Sequence, residues 1–423
     1  KVLAAGTLTF DNITGATLTQ GSAGKIYVAG YDVANDITIT PNVYTEGTVV
    51  LTRAEGVEDS VFESACAGIK VTPKDGNWVI DTNGKLVKIW AARIGETKYE
   101  TLDAAITAAN ADEVIYVLND VEISKQMTIS KNITITNEPG KDITIKRSAS
   151  MNSGAMFYVR ENTNAIFTLG TNAENEQGKL IVADNGVYKN TTNTRIVDNR
   201  ANATFKLEKN AVLQGANSNQ RGSALVNRGT TLLYGSIRDN ICTGDGGAIL
   251  QVSGALTIYE GTYTGNEATK ATASNTAGGL GSVITAIGGT TEIKGGTFSD
   301  NITKSRGVIH AIAAASVTIS GGSFKNNTVG EGGAIYCYRT LEIAGPITVA
   351  NDITFTPSEY AENKVVLTKA EGVTDEEFQI ACAGIKVTPD ADGKAWLIDN
   401  NGQLQNSYVA RIGDTTYDTF AAA

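Results

Sequence analysis

The chain has 423 residues, 41% hydrophobic, 19% charged and 7% aromatic, with a net charge of −10. That is ample material for a buried core, and 45 Gly against 6 Pro in a background rich in Thr, Asn, Val and Ile favours strands joined by tight turns over helices or disorder. The acidic balance without a Lys/Arg run excludes nucleic acid and anionic membrane as expected partners, and no apolar run reaches the roughly 18 residues of a membrane span.

In chain order, the first recognisable element is a passage that the chain contains twice. AlaAsnAspIleThrIleThrPro at residues 34–41 returns at residues 350–357 with Phe355 in place of Ile39; residues 46–57 return as 362–373, and residues 65–73 as 381–389. The offset is 316 (Asn35 to Asn351) and becomes 318 (Arg93 to Arg411) after a two-residue insertion before Trp396. A period of this length is a whole domain. The sequence therefore predicts a stretch of a tandem array in units of about 317 residues: residues 1–90 as the last coils and end cap of one unit, 91–407 as a complete unit and 408–423 as the start of a third. A signal or anchor would then lie outside this stretch.

Within the first copy, residues 59–67 before Gly68 read as a helix, residues 69–72 and 78–81 as strands, and Asn83 with Gly84 as a turn. This segment is the expected end cap. The junction at residues 86–95 has no Pro/Gly/Ser linker and alternates apolar and polar residues, so it reads as an ordered strand. Ile89, Trp90 or Ile94 would be buried where units meet, with Tyr408 and Ile412 as counterparts. Residues 101–110 carry Leu102, Ala105, Ile106 and Ala109 at helical spacing behind a Thr101 N-cap, a helix suited to covering an open first coil.

A shorter repeat then sets the fold. Residues 233–240, 258–266, 293–301 and 319–327 share an aliphatic residue, a Gly-containing turn (Gly235, then Gly261, Gly295–Gly296 and Gly321–Gly322), an aromatic or Ile, and then Asn. Those asparagines, Asn240, Asn266, Asn301 and Asn327, step by 26, 35 and 26 residues. Each copy is followed by a Gly-rich element ending in an aliphatic residue at Ile249, Ile284, Ile309 and Ile335; residues 153–157 and 221–225 are weaker members. Short strands, Gly and Asn corners and a repeat in the mid-twenties indicate a mainly β, parallel β-helix fold with short capping helices and terminal hairpins. Stacked coils place the four asparagines above one another as a structural ladder. A Gly/Ala/Thr-rich insertion at residues 268–279 is expected to protrude.

The paired short motifs, an aromatic or Ile followed after two residues by Asn and then GlyGlyAlaIle, resemble repeats of polymorphic outer-membrane-protein type. That resemblance implies a right-handed β-helix and an adhesin-like role, although no membrane-barrel domain is visible. Residues 93–105 are similar to the helix-capped entry of β-helix domains in large bacterial surface proteins.

An enzyme is the competing expectation, because β-helices also carry polysaccharide lyases and hydrolases. Inverting hydrolysis needs carboxylates about 6.5–9.5 Å apart, and Asp239 and Asp300 share a coil position with Gly265 between them, at the limit of that range. Asp300, Arg306 and His310, the one histidine, form the alternative glycan-binding or glycan-cleaving face, although alternation from Ile309 makes His310 an outward neighbour of a core residue. No nucleotide loop, zinc spacing, calcium cluster or nucleophile context calls for a cofactor or metal. The four cysteines, of which Cys66 and Cys382 are equivalent, read as buried small apolar residues. The expected function is a non-enzymatic, extracellular cell-surface fibre, stalk or adhesin. Its partners would be neighbouring units and host or surface glycans or proteins.

Overall fold

The structure is a computed structural model that describes residues 17–19, 26–28, 38–41, 43–53, 56–74, 76–172, 178–186, 194–219, 222–244, 246–269, 280–312, 314–331, 334–337, 341–343, 354–357, 359–369, 372–408, 410–413 and 415–417. The chain divides into two compact units, residues 1–105 and 106–423.

In the first unit, Thr38–Thr40 pairs in parallel with Thr17–Thr19 and with Lys70–Val71, and Ile26–Val28 pairs in parallel with Leu51–Arg53. The helix Asp59–Gly68 has apolar residues at three- and four-residue spacing, and it buries Phe62, Ala65 and Cys66 in a core with Ile39, Leu51, Trp78, Ile80 and Leu86. An antiparallel hairpin follows, Asn77–Ile80 with Leu86–Ile89. Asp81 fixes its turn: Oδ1 accepts from the N–H groups of Asn83 at 2.9 Å and Lys85 at 2.8 Å. Gly84 in that turn has φ +76°, and a Cβ there would run into the Leu51 carbonyl oxygen. A second hairpin joins Ala92–Ile94 to Thr97–Tyr99. The helix predicted over residues 101–110 is Leu102–Ala108, with Thr101 Oγ1 accepting from the Ala104 N–H at 3.1 Å.

The second unit is β-solenoid-like, built on four parallel sheets in which each strand pairs with the strand one coil later. Sheet I runs from Glu113–Val117 through Ile133–Asn137, Ile166–Leu169, Thr204–Leu207, Thr230–Leu233, Ala255–Ile258, Gly289–Ile293, Ala315–Ile319 and Leu341–Ile343 to Leu367–Lys369. Sheet II begins at Val121–Ile123 and ends at Ser323–Lys325, and sheet III begins at Met127–Ile129 and ends at Lys386–Val387. The chain visits I, II and III in turn. From Asn217–Ser218 onward a short fourth sheet enters between II and III, formed by Ile241–Cys242, Glu267–Ala268, Ile302–Arg306 and Thr328–Glu331. The sequence reading had no counterpart for this sheet.

Alternation positions the core. Ile293, Phe298 and Ile309 in one coil, and Ile319, Phe324 and Ile335 in the next, are buried, whereas Thr318 and Ser320 are half-buried and Lys325 is exposed. Tyr263, Phe298 and Phe324 stack ring on ring at 4.8 and 4.6 Å, the spacing of adjacent parallel strands. Residues 270–279 of the Gly/Ala/Thr-rich insertion lie outside the described residues.

The repeated passage takes the same local structure again. The helix Asp375–Gly384 buries Phe378, Ala381 and Cys382, and the hairpin Trp396–Ile398 with Leu404–Asn406 turns on Asp399, whose Oδ1 accepts from the N–H groups of Asn401 and Gln403, both at 2.9 Å. Gly402 again has φ +76°. The copies differ at the helix start, where Thr374 and Glu377 form a capping box and Glu58 makes no side-chain cap. They differ also at the indole, since Trp78 donates to the Lys74 carbonyl and Trp396 to the Asp390 carboxylate.

Candidate functional site

The four repeat asparagines form a continuous ladder at the corner between sheet II and the fourth sheet, with Asn240, Asn266 and Asn301 buried and Asn327 half-buried. Asn240 donates to Asn266 Oδ1 from its backbone N–H at 3.3 Å and its side-chain amide at 3.0 Å; Asn266 treats Asn301 Oδ1 in the same way at 3.0 and 3.2 Å, and Asn301 treats Asn327 Oδ1 at 3.0 and 3.0 Å. The same amides also donate inward, Asn266 to the Ile237 carbonyl, Asn301 to Tyr263 and Asn327 to Phe298. At the start of the stack the Ala216 N–H donates to Asn240 Oδ1 at 3.0 Å. These bonds tie each corner to the next.

The candidate acids occupy the position just before each ladder asparagine. Asp239, Gly265, Asp300 and Asn326 have φ of 55°, 63°, 56° and 55°, the left-handed conformation that Gly, Asp and Asn enter most readily. Asp239 and Asp300 are exposed corner residues two coils apart, with Gly265 at the same left-handed corner between them. Asp300 is a corner residue two positions before the strand Ile302–Arg306, and Arg306 is the last residue of that strand. Arg306 and His310 do come together: the guanidinium lies 4.7 Å over the Tyr336 ring, and the imidazole stacks on the same ring at 5.4 Å.

His310 is not the surface residue that alternation implies; it is 1% exposed. Its side chain does point away from the core, in a row with Val226, Leu250 and Thr285, but that row is buried too. The segments leading into sheet III fold back over its outer side. Thr285 Oγ1 donates to the Leu280 carbonyl at 2.6 Å, and a Cβ on Gly222 would meet Leu250 Cβ at 2.8 Å. Burial pushes the His310 pKa down to about 4, and the nearby Arg306 charge adds to the effect.

Three polar features had no clear signal in the sequence. A second ladder runs along the end of sheet III, from the Asn199 amide to Asn227 Oδ1 at 2.8 Å and from the Asn227 amide to Gln251 Oε1 at 2.7 Å, all three side chains fully buried. A buried ion pair joins Arg147 to Asp184 at 2.9 Å, with the guanidinium also donating to the carbonyls of Gly154 and Arg195. Finally, Arg195 and Arg200, which flank Asp198 in the sequence, and Arg228 from the next coil converge on its carboxylate, with Arg228 at 3.0 Å, Arg195 at 3.6 Å and Arg200 at 3.9 Å. The absence of a linear Lys/Arg run had hidden that cluster.

All four cysteines are buried, and burial raises the thiols of Cys66 and Cys382 to about 11 and that of Cys337 to about 12, which disfavours their thiolates. Among the described residues, no His, Cys, Asp or Glu group is placed to hold a metal, and no helix is long and apolar enough to cross a membrane. The chain matches no protein-family model, no curated protein and no solved structure.

Proposed function

We propose that the chain is a length of an array of right-handed parallel β-helices, in units of about 317 residues joined in series as a non-enzymatic extracellular fibre, stalk or adhesin at a microbial cell surface. Residues 1–90 would close one unit, residues 91–407 form the next and residues 408–423 open a third. The observation that carries the reading is the recurrence of one cap: helix, Asp-anchored hairpin and crowded Gly at φ +76° appear in both long copies with matching hydrogen bonds. A capped coil whose corners are held by internal amide ladders gives length and stiffness with few special residues.

The cleaving alternative has less support. It needs Asp300, Arg306 and His310 on one accessible face, whereas Asp300 precedes the strand that Arg306 ends and the imidazole is enclosed.

Electron microscopy and small-angle scattering test the proposal. For a protein carrying two consecutive complete array units, a narrow distribution of inter-unit angles is expected; a broad distribution would leave only flexibly tethered bodies. A screen over acidic and neutral polysaccharides should show no turnover, and turnover would end the passive reading.

A further inference from the structure

The corner that follows sheet III carries arginine on three successive coils. Arg160, Arg200 and Arg228 each come one residue after a sheet III strand, respectively Ala155–Val159, Arg195–Asn199 and Leu225–Asn227. The Arg200 N–H donates to the Val159 carbonyl at 3.2 Å and the Arg228 N–H to the Asn199 carbonyl at 2.8 Å, so the three are in register, one coil rise of about 4.8 Å apart. The next coils put Val252 and Ile287 at this corner, which confines the charge to a short column.

Like charges stacked in this way repel unless something compensates them, and the compensation here is partial. Asp198 is shared by Arg195, Arg200 and Arg228, and Glu161 faces Arg200 at 3.7 Å while binding the Tyr158 hydroxyl. Among the described residues, the guanidinium groups of Arg160, Arg200 and Arg228 face the carboxylates of Asp198 and Glu161, and Asp198 is engaged by Arg195 as well, in a chain whose net charge is −10. The column is also pre-positioned. Arg200 lies over the Tyr158 ring at 5.3 Å and Arg228 is held by the buried Asp198, yet both side chains remain about one-third exposed, and Arg160 is exposed.

We propose that this column binds an acidic polysaccharide, with carboxylate or sulfate groups along one extended strand each meeting a guanidinium. Planar, fixed guanidinium groups suit such anions because they donate two parallel hydrogen bonds. An evenly spaced column suits anions repeated along a polymer better than a single ion. Nucleic acid fits less well, since an extended single strand spaces its phosphates more widely than one coil rise. The inference goes beyond the fibre reading and does not depend on how units are joined.

Calorimetric titration of the full chain with oligogalacturonate, with heparin oligosaccharide, with a neutral galactan and with oligothymidylate tests it. Binding of at least one acidic sugar at low salt is expected, weakening as salt rises, with none of the galactan; the two acidic probes decide between carboxylate and sulfate. Arg160→Glu, at an exposed position, should weaken that binding about tenfold or more while leaving the urea midpoint unchanged. Arg228→Lys, which keeps the charge and loses the fork, should weaken it less. The proposal is overturned if neither acidic sugar binds at low salt, if Arg160→Glu binds like the parent, or if oligothymidylate binds as tightly as the better sugar.

Discussion

Asn301 Oδ1 accepts two hydrogen bonds from Asn266, one from the backbone N–H at 3.0 Å and one from the side-chain amide at 3.2 Å. One oxygen thus satisfies a corner N–H that the turn has taken out of the sheet and also fixes the amide above it, which in turn reaches the Ile237 carbonyl at 2.9 Å. Removing one rung leaves buried partners on both neighbouring coils unsatisfied. Each such group costs about 1–3 kcal/mol, so Asn266→Ala should lose roughly 3–5 kcal/mol in urea unfolding. A loss below about 1 kcal/mol would mean that the ladder does not hold the corner.

The enclosed His310 gives stability a pH dependence whose sign is fixed. Its folded pKa of about 4 lies below the ordinary 6.5, so it is neutral in the folded state and mostly neutral in the unfolded state at pH 7, and contributes little pH dependence there. As pH falls from 6.5 towards 4, only the unfolded chain takes up the proton, and stability drops by about 3 kcal/mol across that interval. His310→Phe keeps a ring against Tyr336 and removes the proton. The stability difference between the two proteins should therefore shift by that amount in favour of the variant between pH 7 and pH 4; a difference independent of pH would place the imidazole in water.

How far these features could be read in advance depended on whether their signal was local. The Asn240–Asn327 ladder was legible because the left-handed corner forces Gly, Asp or Asn just before each asparagine, so the pattern recurs within a few residues of itself. The second ladder changes residue type from Asn227 to Gln251 and has no Gly signature; the repeated AsnArg pair at Asn199–Arg200 and Asn227–Arg228 was its one trace. Strands of two residues such as Ile241–Cys242 show no alternation, which hid the fourth sheet. Alternation did place His310 on the side of its strand away from the core, but it carries no information about what covers that side.

The Arg147–Asp184 pair is almost fully out of water, and burial lowers the pKa of Arg147 while the Asp184 charge opposes that shift. Breaking such a pair by removing one partner costs about 3–5 kcal/mol, because the remaining charge keeps its desolvation penalty. Asp184→Asn should show a loss of that size. The double variant Arg147→Met with Asp184→Asn should be less destabilised than Asp184→Asn alone, and a double-mutant cycle with additive losses would show that the pair is not coupled.

The two copies of the repeated passage offer the sharpest comparison within one chain. Gly84 and Gly402 share φ +76°; a Cβ on either would run into a carbonyl oxygen, that of Leu51 or of Leu367, and would stand 3.0 Å from the ring of Phe62 or of Phe378. The backbone strain of a left-handed alanine alone is about 1–2 kcal/mol. Gly413, with φ +59° and nothing within 4 Å of its added Cβ, should show that strain alone when changed to alanine. Gly84→Ala and Gly402→Ala should each cost more than Gly413→Ala, because neither the carbonyl nor the enclosed ring can move without opening the hairpin from its helix. They should also cost about the same as each other when local opening is followed by hydrogen exchange at the Val50 and Val366 N–H groups, which donate to the carbonyls of Gly84 and Gly402, both at 2.9 Å. If one substitution is tolerated and the other is not, the two segments are not one cap used twice, and the array loses its principal support.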